Sequence, residues 1–397
     1  MSKGTRLFAS MKEPLLRVTL ASNNWEPNGR RRAVLIVRGD MFANSVKPRV
    51  LAAHLRSLGF DVRSVESAAL GRSGESGILR WLPALNAMSL ALYARDALQA
   101  VGRMLLRGYN CRVTRYLNGM SLLWAMLARG EFLAQALRND KCDVLICESG
   151  LDQAVVLHRV AAQQLLDLPS PFGDELLFAD QLSVGSHRRI RDLEESCLSA
   201  SDRASFHWHT YEEYVRSNYQ ARVRWLDCSY GVTSKRVHAR FSAEPRVVFL
   251  GGLKGAWVNL PLLERLSKHY RVDVWGGPRP PKGLAVRYLG YARDLDILAN
   301  YQIGLVTVSD DPLRRLGFSS KQLQYFSYGL PTLVPAWRND PVLATASVPY
   351  TEDTFVEQVA TLADRTLWEA MSLRALELAS QLSWESALGP LTELLGS

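Results

Sequence analysis

Short runs of aliphatic and β-branched residues alternate along this chain with longer segments of helical periodicity. Residues 33–37, A-V-L-I-V, are apolar at every position, the pattern of a strand covered on both faces in a parallel sheet. A loop with Asn44, Ser45 and Pro48 follows, then V-L-A-A-H-L-R-S-L-G-F, a helical pattern that stops at Gly59. Residues 61–65 form a second strand at once. A β-loop-α-β opening predicts a doubly wound domain, with that first loop at the carboxyl end of the sheet, where ligands bind. Helical sequence dominates residues 77–137, and D-V-L-I-C at 143–147 is the next strand, running into Glu148-Ser149-Gly150.

A second series starts at R-V-V-F-L (246–250), which meets Gly251-Gly252, and continues through R-V-D-V-W (271–275) with Gly276-Gly277, then residues 286–290 and 303–308. Two such series predict two α/β domains, and 397 residues exceed what one ordinary core holds. The boundary is expected within residues 229–245. The expected division is a leader over 1–30, a first Rossmann-like domain over 31–230, a second over 231–375 and a terminal helix over 376–397.

Residues 319–335, S-S-K-Q-L-Q-Y-F-S-Y-G-L-P-T-L-V-P, are the most informative stretch. Lys321, Gln324, Tyr325 and Tyr328 fall at i, i+3, i+4 and i+7, which puts a cation, an amide and two phenols on one helical face. A face of that make-up is expected to meet a ligand and not plain core. Ser319 and Ser320 are the expected N-caps, Gly329 the C-terminal stop, and T-L-V-P-A a buried strand.

This segment resembles the donor-nucleotide helix of GT-B-fold glycosyltransferases. Within them it is most similar to the glucuronosyltransferases that extend a lipid-linked xanthan precursor, whose pattern is S-x-K-x-x-Q-Y-x-x-x-G-L-P. Ser319, Lys321, Gln324, Tyr325, Gly329, Leu330 and Pro331 match it. The E-S-G of residues 148–150 and F-A-D-Q-L-S at 178–183 are shorter matches, the latter to A-S-D-G-L-S. The likeness covers residues 243–335 best and 33–183 more weakly.

The resemblance implies an α/β GT-B fold with two Rossmann-like domains facing across a cleft, and a final helix, from about Ser383-Trp384-Glu385, that crosses back to the first domain. It implies a nucleotide diphosphate sugar as donor, UDP foremost and UDP-glucuronate among its forms, with a lipid-linked or saccharide acceptor and neither metal nor other cofactor. Retaining enzymes of the largest related family carry two glutamates eight residues apart here, where this chain has Leu316 and Gln324. Inversion is therefore expected. Two rival readings share the fold: a nucleotide-sugar 2-epimerase, which needs further carboxylates and histidines that the sequence does not assign, and a non-catalytic partner subunit.

Inverting transfer needs a general base for the acceptor hydroxyl. The match at 178–183 assigns that role to Asp180, whose bland alternative is a helix cap. A leaving diphosphate is stabilised by backbone N–H groups, a helix N-terminus and a cation. Gly251 and Gly252, after a strand, with Lys254 nearby, fit a phosphate loop, and Lys321 sits in a first helical turn, where the helix dipole disfavours a cation unless an anion binds. Gln324 and Tyr325 are candidates for orienting the nucleotide or sugar, and the loop 309–315 brings two arginines near an acidic donor. His207-Trp208-His209 offers two imidazoles on one face of a possible strand without an acidic or thiol partner, so no metal is assigned. Glu194-Glu195 and Glu212-Glu213 read as helix-surface carboxylates.

Charge adds one element. The net formal charge is +9, and residues 30–141 hold 18 Lys+Arg against 7 Asp+Glu, so the first domain carries the whole excess. A basic face suits an anionic membrane surface or a pyrophosphate-linked acceptor, and no nucleic-acid-binding motif accompanies it. The apolar runs 81–94 and 116–128 are shorter than the ~18–20 residues a membrane span needs, and arginines flank them. They read as core or interfacial helices. Five scattered cysteines without a C-x2-C pair and the lack of a signal-like leader point to reduced thiols and a cytoplasmic protein, peripheral on the inner face of a membrane.

Overall fold

The structure is a computed structural model that describes residues 17–20, 29–38, 46–68, 112–138, 142–148, 150–179, 181–253, 258–277, 284–292, 294–338 and 340–396. The chain divides into two compact units, Met1–Cys228 with Pro390–Ser397, and Ser229–Gly389.

The first unit is built on a six-stranded sheet. Its strands are β1 (Arg17–Leu20), β2 (Arg32–Arg38), β3 (Asp61–Ala68), β4 (Cys142–Glu148), β5 (Ala161–Leu168) and β6 (Arg203–Phe206). They lie in the order β1-β3-β2-β4-β5-β6, all parallel except β1, which runs antiparallel along β3. Helices α1 (Val46–Ser57), α2 (Arg112–Leu137), α3 (Phe172–Phe178), α4 (Val184–Ala200) and α5 (His209–Asn218) connect and cover it. Ala33 to Val37 and Val144 to Cys147 are all buried, which is why these segments are apolar without alternation. Leaving β1 aside, the parallel strands follow the flavodoxin-like order, so the direction of winding reverses between β2 and β4. Residues at the chain end return to this unit: Arg31 donates to the Leu395 carbonyl at 2.6 Å, and His54 bonds Thr392 at 2.9 Å.

The second unit has six parallel strands: β7 (Val247–Leu250), β8 (Val272–Trp275), β9 (Arg287–Tyr288), β10 (Ile303–Leu305), β11 (Thr332–Pro335) and β12 (Ser347–Tyr350). Their order, β12-β11-β10-β7-β8-β9, is that of a dinucleotide-binding Rossmann sheet, with its reversal between β7 and β10. Around it lie α6 (Leu260–His269), α7 (Pro312–Leu316), α8 (Ser320–Ser327), α9 (Phe355–Thr361) and α10 (Arg365–Gln381), and α11 (Trp384–Gly396) closes the chain. Val247 and Phe249 face one apolar cluster while Val248 and Leu250 face another, so β7 is buried on both sides. Two tyrosines of the segment after α7, Tyr325 and Tyr328, belong to the second cluster.

Candidate functional site

The carboxyl ends of β7 and β8 run into paired glycines. Gly251 has φ 128°, Gly276 φ 102° and Gly277 φ 68°, conformations that side chains resist. A Cβ on Gly277 would fall 2.2 Å from the Gly252 Cα, so the two turns meet backbone against backbone. Gly251 N–H donates to the Trp275 carbonyl at 2.7 Å, which ties the first turn to the neighbouring strand.

Lys321 lies against this surface. A Cβ on Gly251 would stand 2.3 Å from the Lys321 Cε and 3.1 Å from its Nζ. The lysine is partly buried in the first turn of α8, and among the described residues it has no hydrogen-bond or ion-pair partner. Burial first, then Arg314 and Arg338, holds its pKa below the ordinary lysine value. Arg338 donates through Nε to the Gly317 carbonyl at 3.0 Å, which fixes its place beside the N-terminal end of α8. Lys321, Arg314 and Arg338 thus gather positive charge at the N-terminal end of α8, with the glycine turn against Lys321.

The rest of the expected polar face divides. Tyr325 is fully buried, and its hydroxyl accepts the Leu250 N–H at 2.7 Å, so the phenol supports the end of β7 from inside. Tyr328 is buried too and donates to Asp296 at 2.8 Å. The expectation that these phenols meet a ligand is corrected: helix periodicity placed them beside Lys321, but α8 is enclosed on most sides, and only Ser320, Lys321 and Gln324 remain partly open. Ser319 is the N-cap residue, yet its side chain makes no cap hydrogen bond. Gly329 follows α8 with φ 71° and ends it as expected. The two arginines expected in a loop lie in the short helix α7, where Arg315 is engaged by Asp310 at 2.7 Å and Arg314 stays near Lys321. Lys254 and Asp180 lie outside the described residues.

In the first unit a small pocket opens at the winding reversal between β2 and β4, at the carboxyl end of the sheet where the sequence placed the loop after the first strand. Lys47 from the first turn of α1, Glu148 at the end of β4, Asp167 on β5 and His207 just past β6 supply its polar lining. Lys47 Nζ reaches Asp167 Oδ1 at 2.8 Å, Ser205 donates to the same oxygen at 2.8 Å, and His207 Nε2 stands 3.4 Å from Oδ2. Burial would raise the Asp167 carboxyl, but Lys47 and then His207 outweigh it and hold the group well below the usual carboxylate range. His207 and His209 do not share a strand face, because Trp208 caps α5 and His209 is already its first residue. The E-S-G match at residues 148–150 and the loop after the first strand pointed to this end of the sheet, but Lys47, Asp167 and His207 were not singled out for it.

A second buried cluster corrects the reading of Glu194 as a surface carboxylate. Glu194 is 1 % exposed and accepts the Phe172 and Gly173 N–H groups, each at 3.0 Å. Tyr219 donates to it at 3.3 Å and to Asp174 at 3.2 Å, and Asp174 bonds His187 at 2.5 Å. Glu194 thus caps the N-terminus of α3. Asp152 is likewise structural, paired with Arg129 at 2.8 Å in the core.

No family model matches the sequence, and no curated protein matches it. Solved structures do. A sucrose-phosphate synthase from Thermosynechococcus elongatus superposes with TM-score 0.57 at 13% identity, over 92% of this chain and 98% of that one. A glycosyltransferase from Rickettsia africae gives TM-score 0.58 at 9% identity over 92% and 98%. A variant of S. aureus TarM, solved with fondaparinux, α-GlcNAc-glycerol and UDP, gives 0.51 at 12% identity over 70% of this chain and 59% of that one. Likeness at these identities is one of fold, and the fold is GT-B.

Proposed function

We propose that this protein is a glycosyltransferase that moves a sugar from a nucleotide diphosphate, UDP in the first instance, to a saccharide or lipid-linked hydroxyl with inversion and without a metal. The observation that carries the reading is Lys321, a partly buried ammonium without a partner among the described residues, held against Gly251 at the winding reversal of a Rossmann sheet. An enzyme that expels a nucleoside diphosphate must stabilise two to three negative charges as they develop. Lys321, with Arg314 and Arg338 behind it and the Gly251-Gly252 turn in front, supplies that stabilisation, and Gln324, one turn further along α8, reaches the same open strip. The fold shared with glycosyltransferases supports the reading, and the UDP bound by the TarM variant favours that nucleotide. Asp180 takes the proton of the acceptor hydroxyl as the sugar carbon leaves the diphosphate oxygen for the acceptor oxygen.

Calorimetry with UDP and single-turnover transfer test both halves. Lys321→Ala should weaken UDP binding by ~1.5–3 kcal/mol, the worth of a charge-assisted hydrogen bond, without unfolding the second unit. Asp180→Asn should leave UDP affinity nearly unchanged and lower transfer by ~100-fold or more. Equal UDP affinities of the parent and Lys321→Ala proteins would refute the donor site.

A further inference from the structure

The amino ends of β7, β8 and β9 gather three arginines around one buried carboxylate. Arg246 stands just before β7, Arg271 just before β8, and Arg287 opens β9, and the three strands are neighbours in the sheet. Asp273 on β8, its side chain 4% exposed, receives all of them. Arg287 donates through Nε to Oδ1 at 2.7 Å and through Nη2 to Oδ2, Arg246 Nη2 donates to Oδ2 at 3.3 Å, and Arg271 Nε stands 3.6 Å from Oδ1. The Tyr301 hydroxyl adds a further donor to Oδ2 at 3.0 Å. Burial would raise the Asp273 carboxyl, but Arg287, Tyr301 and Arg246 outweigh it and hold the group below the ordinary carboxylate value, so it is charged at neutral pH. Three guanidiniums against one carboxylate leave two positive charges, and among the described residues none of the three has another acidic partner.

Arg287 alone, with its fork on both oxygens, would neutralise Asp273, so the charges of Arg246 and Arg271 are not accounted for by it. Their side chains are 49% and 66% exposed, which leaves N–H groups within reach of solvent. Arg246 is nonetheless held in place: its guanidinium lies 4.6 Å from the centre of the Tyr301 ring, and its Nη1 donates to the Asn300 carbonyl at 3.2 Å. Guanidinium forks take two oxygens of a tetrahedral anion at once, and a phosphate monoester carries close to two negative charges near pH 7. That matches the two charges left over here, whereas a carboxylate would offset only one. Neighbouring strands lie about 4.8 Å apart, so the three strand starts span about 10 Å, and the glycine turns lie at the opposite ends of four-residue strands, about 13 Å away. We propose that Arg246, Arg271 and Arg287 form a binding site for a phosphate dianion, presented by a soluble phosphate or by a lipid headgroup that ends in one, separate from the donor turn and independent of the glycosyl transfer proposed above. Asp273 is the anchor that holds the guanidiniums together, and Arg271, the most loosely engaged, turns to the incoming phosphate.

Phosphorus NMR titration of the full chain with inorganic phosphate tests this. The titration uses Lys321→Ala protein, so that phosphate at the donor turn does not contribute, and the double variant Lys321→Ala with Arg271→Ala. The first should bind phosphate, and the second should bind it about tenfold or more weakly, through the loss of charge-assisted hydrogen bonds. Arg271 is the residue to remove because its contact with Asp273 is the longest of the three, so Arg246 and Arg287 keep the carboxylate paired without it, and circular dichroism checks the fold. Co-sedimentation with phosphatidylcholine vesicles, with and without phosphatidate, identifies the source. Binding to phosphatidate vesicles that drops in Arg271→Ala assigns a lipid headgroup, and phosphate binding without such a drop assigns a soluble phosphate. The site is overturned when neither phosphate affinity nor phosphatidate binding depends on Arg271.

Discussion

Glu194 shows what one buried carboxyl does to the first unit. Burial pushes its pKa up to about 8, against the hydrogen bonds from Gly173 and Phe172 that favour the charged form. The unfolded chain releases this proton near pH 4.5 and the folded chain only near 8, so between those values the unfolded state binds fewer protons and stability falls as pH rises. The loss across that window is of the order of a few kcal/mol. Glu194→Gln removes the titration, and thermal unfolding of parent and variant from pH 5 to 8 should show the parent's decline flattened in the variant. Parallel curves would exclude this role. No reading of the sequence foresaw it, because E-E on a helix is ordinary and the burial comes from contacts with residues some 20 positions away in the chain. The place of Lys321 in a first helical turn was legible for the opposite reason: its helix and the Gly329 stop lie within a dozen residues.

At the scale of elements, β10 and α8 depend on one missing side chain. A Cβ on Gly304 would lie 2.4 Å from the ring of Tyr325, the residue whose hydroxyl holds Leu250 N–H at the end of β7. Gly304→Ala should therefore displace α8, lowering the stability of the second unit by ~1–3 kcal/mol and weakening UDP binding with it. Urea unfolding read out together with UDP titration checks this, and an unchanged midpoint with intact affinity would contradict the coupling. Strands made of unbroken aliphatic runs, such as β2, β4 and β7, were plain from sequence because both faces are covered. β5 was not, because Gln163 and Gln164 interrupt its run. Gln164 is nonetheless fully buried, with its amide satisfied by the Val156 carbonyl and the Val160 N–H. The lining of the pocket stayed hidden for a related reason: Lys47, Glu148, Asp167 and His207 come from four segments spread over 160 positions, and only the sheet order gathers them.

For the molecule as a whole, the uneven charge is the property with a measurable outcome. Residues 30–141 carry 18 basic against 7 acidic side chains, and α2 within that stretch exposes Trp124 at 49% and Leu127 at 37%, one turn apart. No helix among the described residues is long and apolar enough to cross a membrane. An exposed tryptophan in a stretch of sequence with excess basic residues is the make-up expected of a surface that rests on headgroups. The protein should co-sediment with vesicles containing anionic lipid and be released as salt rises past the range where the Debye length falls below ~8 Å. Trp124→Ala should reduce the bound fraction at every salt concentration, and equal partitioning onto neutral vesicles would remove the electrostatic part.

The glycine pairs after β7 and β8 have a further consequence for how this protein can change. A wall of bare main chain carries no side chain that could read a base or a sugar, and its Gly251 and Gly276 N–H groups are already given to the Trp275 and Gly290 carbonyls. No substitution at Gly251 or Gly277 can teach it a new preference, since any side chain there collides with Lys321 or with the opposite turn. A change of donor sugar has to be written elsewhere, in positions such as Gln324 and Arg314 that border the strip without forming it. On the donor reading proposed above, the glycine turns are the part that descendants must inherit intact, and the side chains at their edge are where they are free to diverge.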